Sequence, residues 1–237
     1  MSTYILIHGA GTGAWCWDKI APRLRQAGHQ AIVFDLPGHG QDKTPVAEVT
    51  FDRYLQRTTE VLTAQEEPVI LVGHSLAGIL LSQIAELYPT KIQRLVYLTA
   101  YLLEDGETVL QAAQRDTDAQ AFPHAIFDET GTAFSYPPEK LQDFFYPDCS
   151  QEDIERAKQL TVPQSIQPGG VPLHVTAERF GRIPRVYIEC LQDKVISPAF
   201  QRQMSGVWPC QNVFSLETSH SPFFSAPDDL SRLLLSV

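Results

Sequence analysis

The chain has 237 residues, 43% of them hydrophobic, enough to bury a core without metal or disulfide staples and to exclude disorder as its main state. Asp and Glu outnumber Lys and Arg by 28 to 18, for a net charge of −10. That balance argues against partners that demand a positive surface, such as a nucleic-acid backbone or an anionic membrane. Charged residues are scarce at 19%, whereas 17 Pro and 14 Gly point to many tight loops. The four cysteines (Cys16, Cys149, Cys190 and Cys210) lie far apart with no CxxC pair. Free thiols in a soluble, cytoplasmic protein are therefore expected, with no leader and no apolar run long enough for a membrane span.

In chain order, short apolar runs alternate with longer amphipathic ones. Tyr4–Ile7 reads as a buried strand that ends in a glycine-rich turn through Gly13. A helix is expected over Trp17–Ala27, with Gly28 as its stop, and a second strand over Ala31–Phe34. Phe51–Glu66 has helical periodicity through Tyr54, Leu55, Thr58 and Leu62. Val69–Val72 is a third strand, Ser75–Tyr88 a helix stopped by Pro89, and Leu95–Leu98 a fourth strand. Because the strands are continuous apolar runs, they suit an α/β fold with a mostly parallel sheet covered by helices on both faces.

The rhythm breaks after Leu98. The next clear strand is Arg185–Glu189, a gap far longer than a crossover needs, so an inserted cap is expected. We divide the chain into a core of residues 1–103 and 184–237 and a cap of residues 104–183. Phe122, Phe127, Phe134, Tyr136, Phe144, Phe145 and Tyr146 cluster inside the cap and point to a greasy pocket or interface. Gln151–Leu160 reads as a cap helix. The core resumes with a helix near Pro198–Met204, a strand over Asn212–Leu216 and a last helix from Asp228.

Chemistry enters at Gly73-His74-Ser75-Leu76-Ala77, set between a strand and a helix. This G-x-S-x-[G/A] pattern is a nucleophile elbow: the sharp turn strains Ser75, and small neighbours at Gly73 and Ala77 keep it from clashing. The bare pentapeptide is common and could mark an ordinary strand–helix turn; its strand–turn–helix context argues for the nucleophile. An activated serine needs a base and an orienting acid, expected later in the chain, acid first, on loops after core strands. Asp193 follows the strand at 185–189 and His220 follows the strand at 212–216. Glu189 is the rival acid, though it sits within a strand. Among the other histidines, His29 is expected to be exposed, His8 and His39 to brace strand-end turns, and His124 and His174 to belong to the cap. No His pair has metal-ligand spacing near a carboxylate, so neither metal nor cofactor is expected. The loop His8–Gly13 lacks a phosphate-binding pattern; its Ala10 N–H, with that of Leu76, is expected to stabilise an oxyanion.

Several motifs together resemble the α/β-hydrolases. They are Leu6-Ile-His-Gly-Ala10, Gly13-Ala-Trp-Cys-Trp17, Gly28-His29, Asp35-Leu-Pro-Gly-His-Gly40 and Gly73-His-Ser-Leu-Ala-Gly78, followed by Leu98-Thr-Ala-Tyr101, Asp105-Gly106, Gln192-Asp-Lys194 and Phe200-Gln201. More narrowly, they resemble the group of plant methylesterases, hydroxynitrile lyases and bacterial carboxylesterases. The resemblance implies an α/β-hydrolase fold, Ser75 as nucleophile, Asp193 as acid, His220 as base, and oxyanion donors at Ala10 and Leu76. It also implies that a lyase would carry a Thr in the first loop and a Lys after the catalytic His, where this chain has Gly9 and Ser221. The expected activity is hydrolysis of esters or lactones of apolar or aromatic acids, with a small-molecule ester as partner and a homodimer as a possible assembly. A lyase on the same triad, or a non-catalytic small-ligand receptor, is the alternative.

Overall fold

A computed structural model describes all 237 residues. The first half runs β1 (Thr3–Ile7), α1 (Ala21–Gln26), β2 (Gln30–Val33), α2 (Phe51–Thr63), β3 (Val69–His74), α3 (Ala77–Leu87) and β4 (Ile92–Leu98). Between β4 and the next core strand lie α4 (Val109–Arg115), β5 (Ile126–Phe127), β6 (Ala133–Ser135), α5 (Pro138–Phe145), α6 (Gln151–Leu160), β7 (Gln164–Ser165) and α7 (Gln167–Gly170). The chain closes with β8 (Arg185–Cys190), α8 (Pro198–Val207), β9 (Asn212–Leu216), α9 (Pro222–Ser225) and α10 (Pro227–Leu235). No helix is long and apolar enough to cross a membrane.

Six strands form one sheet in the order β2-β1-β3-β4-β8-β9, every neighbouring pair parallel. Alternate residues of each strand feed two separate cores. Ile5, Leu71, Leu95 and Tyr187 join Tyr54 of α2 and Leu80 of α3 on one face. Leu6, Val72, Val96 and Ile188 join Leu24 of α1 and Leu230 of α10 on the other. Burial on both faces explains the unbroken apolar runs, and each fully buried Leu or Ile contributes roughly 1.5–3 kcal/mol. β5, β6 and β7 form a separate antiparallel sheet within the 86-residue stretch that precedes β8.

The strand order reverses between β1 and β3, because β2 lies outside β1 while β4 lies outside β3. In open α/β sheets the crevice beyond the carboxyl ends of such strands is where ligands bind. Here the loop carrying Ala10 follows β1, and Ser75 follows β3.

Several expected boundaries move, among them the fourth strand, which begins at Ile92 rather than Leu95, and three helices. The helix expected from Trp17 begins at Ala21, after a short 3-10 turn over Ala14–Trp17, because Pro22 favours a helix's first turn. The helix expected to reach Glu66 ends at Thr63. The helix after the elbow begins at Ala77 rather than Ser75, because Ser75 has a left-handed backbone that no right-handed helix can contain.

Candidate active site

The strand–helix turn holds Ser75 at φ +55°, a conformation that costs an L-residue roughly 1–2 kcal/mol. Neighbouring strands impose it. Ser75 N–H donates to Leu98 O of β4 at 3.3 Å, and Ser75 O accepts from the N–H groups of Gly78 and Tyr101, each at 3.1 Å. Close packing explains the small residue at 73: a Cβ there would lie 2.4 Å from Leu81 Cδ1 and 3.1 Å from Ala77 O.

Asp193 and His220 sit on the loops that follow β8 and β9. Those loops continue the pairing of their strands, with Leu191 N–H donating to Leu216 O and Gln192 N–H to Thr218 O, both at 2.9 Å. The extension brings His220 Nδ1 to 2.6 Å from Asp193 Oδ2, with both side chains buried. Nδ1 therefore carries the proton, and Nε2 is left with a free lone pair. The Asp193 carboxylate is fully engaged: Oδ1 accepts from Val195 N–H at 2.7 Å and Ile196 N–H at 3.1 Å. Its Oδ2 also accepts from Thr99 Oγ1 at 2.5 Å. Glu189 is turned elsewhere, accepting from Arg202 Nε at 2.8 Å and Ser215 Oγ at 2.7 Å. The structure thus brings Asp193, not Glu189, to His220.

Ser75, Leu76, Ala10 and His220 line one cavity of about 120 Å³. Neither Ser75 Oγ nor His220 Nε2 bonds to another protein atom, and the hydrogen bond that would join them tightens in many enzymes only when substrate is bound. The N–H groups of Ala10 and Leu76 likewise donate to no protein acceptor, so two fixed donors open on the cavity from the ends of β1 and β3. From the aromatic cluster, Phe122, Phe134, Tyr136, Phe145 and Tyr146 line the cavity, but Phe127 and Phe144 do not. Phe127 is 46% exposed, and Phe144 stacks on His124. No Lys or Arg lines the cavity; Asp116 is its one carboxylate.

The remaining histidines are mostly structural. His8 donates from Nδ1 to Gly9 O at 2.9 Å and accepts Leu36 N–H on Nε2 at 3.0 Å, and burial pushes its pKa down to about 3. His74 donates from Nε2 to His220 O at 2.8 Å, bracing the loop that carries His220. Burial, reinforced by His220, holds its pKa well below the ordinary value. His29, expected to be exposed, is half-buried: it accepts Ser2 N–H and meets the Tyr4 ring edge-on, because β1 and β2 start side by side.

Several residues that hold this arrangement carry no local sequence signal. Thr99, at φ +37°, grips Asp193 from the end of β4; Asp148 accepts Ser219 N–H at 2.8 Å, next to His220; Gln164 reaches the first loop. Each is remote in sequence from its partner, and only the motif around Leu98–Tyr101 hinted at Thr99.

A parallel sheet, a strained serine elbow and an acid–histidine pair at the strand ends define an α/β hydrolase. The sequence model of the Alpha/beta hydrolase family matches residues 4–233, and the chain belongs to that family. It is 34% identical over 250 residues to salicylic acid-binding protein 2 of Nicotiana tabacum, covering 99% of this chain and 96% of that protein. It is also 30% identical to the putative chloroplastic methylesterase 14 of Arabidopsis thaliana, spanning 71% of that longer protein. Among solved structures it superposes on polyneuridine aldehyde esterase with a TM-score of 0.91 at 28% identity, covering 100% and 98% of the two chains. A pyrethroid hydrolase from Sphingobium faniae gives a TM-score of 0.89 at 31% identity, covering 99% and 96%. Relatives named esterases, methylesterases and hydrolases place this enzyme among the carboxylic ester hydrolases.

Proposed function

We propose that the protein is a serine carboxylesterase for esters of small apolar or aromatic acids, using Ser75, His220 and Asp193. The observation that carries the reading is the pairing of a strained Ser75 with a His220 whose Nδ1 is committed to Asp193, both on one cavity. Ser75 Oγ attacks the ester carbonyl carbon while His220 Nε2 takes the hydroxyl proton. Asp193 stabilises the imidazolium that results, and the N–H groups of Ala10 and Leu76 hold the tetrahedral oxyanion. Nε2 then returns the proton to the departing alcohol. Water, deprotonated by the same nitrogen, attacks the acyl-enzyme and releases the acid.

Residues 104–183 act in this scheme as a cap that shapes the acyl pocket over a core of residues 1–103 and 184–237. With no cation on the cavity wall, an anionic acyl group has no counter-ion, which favours neutral ones. The free space of about 120 Å³ is close to the roughly 150 Å³ of an apolar cavity that takes up benzene, so one ring or a short branched chain suits it.

Cyanohydrin cleavage is disfavoured at two positions. Ser221 offers no cation to departing cyanide, and a Cβ at Gly9 would lie 2.8 Å from His74 Nδ1 and 2.9 Å from Ser75 Cβ, leaving no room for a Thr. Turnover of aryl esters, methyl esters, lactones and mandelonitrile by wild type and Ser75→Ala tests the proposal. Ester cleavage that vanishes in the variant is the expected result; cyanide release without ester cleavage would overturn it.

A further inference from the structure

A buried phenol O–H needs a partner, because leaving a donor unmet away from water is costly. Most of the fully buried tyrosines of this protein have one. Tyr4 donates to Leu234 O and Tyr187 to Ala100 O, each at 2.8 Å. Tyr97 shares a 2.8 Å bond with Ser82 Oγ, and Tyr54 Oη accepts from Gln164 Nε2 at 3.2 Å and lies 3.4 Å from His39 Nδ1. Tyr101 and Tyr136 break the pattern. Both are half-buried on the wall of the cavity that holds Ser75, and neither hydroxyl bonds to a protein atom.

Both residues are fixed in place. Tyr101 N–H is tied to Ser75 O at 3.1 Å, and the Tyr136 ring packs against Phe134 and Phe145 with centroids 5.9 and 5.0 Å away. Burial raises the Tyr136 phenol to about 12 and the Tyr101 phenol further, so both stay protonated donors at neutral pH. Asp116 and Tyr136 each add to the rise at Tyr101, which places both of them near that phenol. Asp116, 8% exposed, lines the same cavity. Its Oδ2 accepts Ser197 N–H at 2.7 Å, while Oδ1 has no protein partner. Besides its serine, threonine and histidine groups, the pocket wall therefore carries two phenol donors and one carboxylate oxygen without a protein partner.

We propose that Tyr101, Tyr136 and Asp116 form a polar subsite that selects acyl groups bearing a neutral hydroxyl on an apolar or aromatic frame. The proposal rests on the esterase reading and specifies its substrate class. A hydroxyl accepts from a tyrosine and donates to Asp116 Oδ1 at once. An ether or ketone oxygen only accepts and leaves the carboxylate unmet, an anionic group meets like charge, and a plain hydrocarbon satisfies none of the three.

The test compares kcat/KM for methyl esters of meta- and para-hydroxyphenylalkanoic acids with their unsubstituted and methoxy parents. Wild type is expected to favour at least one hydroxy isomer by about tenfold or more over both parents. In Tyr101→Phe, Tyr136→Phe and Asp116→Asn that ratio falls toward one. A wild-type ratio near one for every isomer, or a ratio unmoved in all three variants, overturns the subsite. Calorimetry of the matching methyl ketones with Ser75→Ala supplies a readout independent of turnover. Hydroxyl-selective binding without ester cleavage by wild type would sink the esterase reading and keep the subsite. Cleavage without hydroxyl selectivity would sink the subsite alone.

Discussion

The side-chain oxygen of Gln164 accepts the N–H of Gly11 at 3.1 Å, one residue from Ala10. The same oxygen faces His39 Nε2 at 3.0 Å, while Pro37 O faces Nδ1 of that ring at 3.0 Å. Gln164 Nε2 donates in turn to Tyr54 Oη at 3.2 Å and to Ser165 O at 2.9 Å. Next to it, Val162 N–H donates to Gly11 O at 2.9 Å. A buried amide between α6 and α7 thus fixes the loop that presents the Ala10 N–H.

Gln164→Leu should loosen that loop without touching Ser75, His220 or Asp193. We expect kcat to fall by about tenfold or more with a smaller change in KM, since the lost bond positions the N–H proposed to hold the oxyanion of the transition state. The variant should also be less stable by about 1–3 kcal/mol, because Gly11 N–H and His39 lose a buried partner. Steady-state kinetics and urea unfolding check the two halves separately.

Ser75→Ala should lower kcat by roughly 10⁴–10⁶ and leave the fold intact. Ser75→Gly should be equally inactive yet at least as stable as wild type, because glycine relieves the strain at φ +55°. Melting temperatures of the three proteins, measured side by side, test whether the elbow stores strain; a Ser75→Gly protein markedly less stable than wild type would say that it does not.

Asp193→Asn should cost roughly 10⁴ in kcat, since an amide cannot hold the required histidine tautomer. Glu189→Gln should leave turnover largely intact, because its partners are Arg202 and Ser215. Thr99→Val, close to wild type in shape, removes a short bond to Asp193 and should lower kcat by about 10- to 100-fold. Severe loss in Glu189→Gln with activity retained in Asp193→Asn would reassign the acid.

Burial depresses the pKa values of His8, His39 and His74 in the folded protein, that of His8 to about 3 from an ordinary 6.5. Between those values the unfolded chain binds more protons at His8 than the folded one, so stability must rise with pH. The contribution is complete above about pH 6.5 and is lost as pH falls toward 3. Urea midpoints should decline across that window, and His8→Gln should flatten the slope. An unchanged slope in the variant would mean that His8 is not the group that titrates.

Much of this architecture was legible in the sequence because its signals are local. Continuous apolar strands such as Val69–Val72 announce burial on both faces, and the glycines and small residues around Ser75 answer a steric demand within one turn. Chain order on a parallel sheet places Asp193 and His220 on successive strand-end loops, and the gap from Leu98 to Arg185 announces an insertion. Other features depend on partners distant in the chain. Thr99 reaches Asp193, and Gln164 reaches Gly11, only because the sheet order and the packing of residues 104–183 bring them together. The aromatic excess showed where the pocket would be lined, but packing decided that Phe145 faces it and Phe127 does not. Composition fixes what must be buried, because water excludes apolar surface wherever it occurs. Which buried polar groups find one another is set by directional hydrogen bonds, whose geometry exists only once the chain is folded.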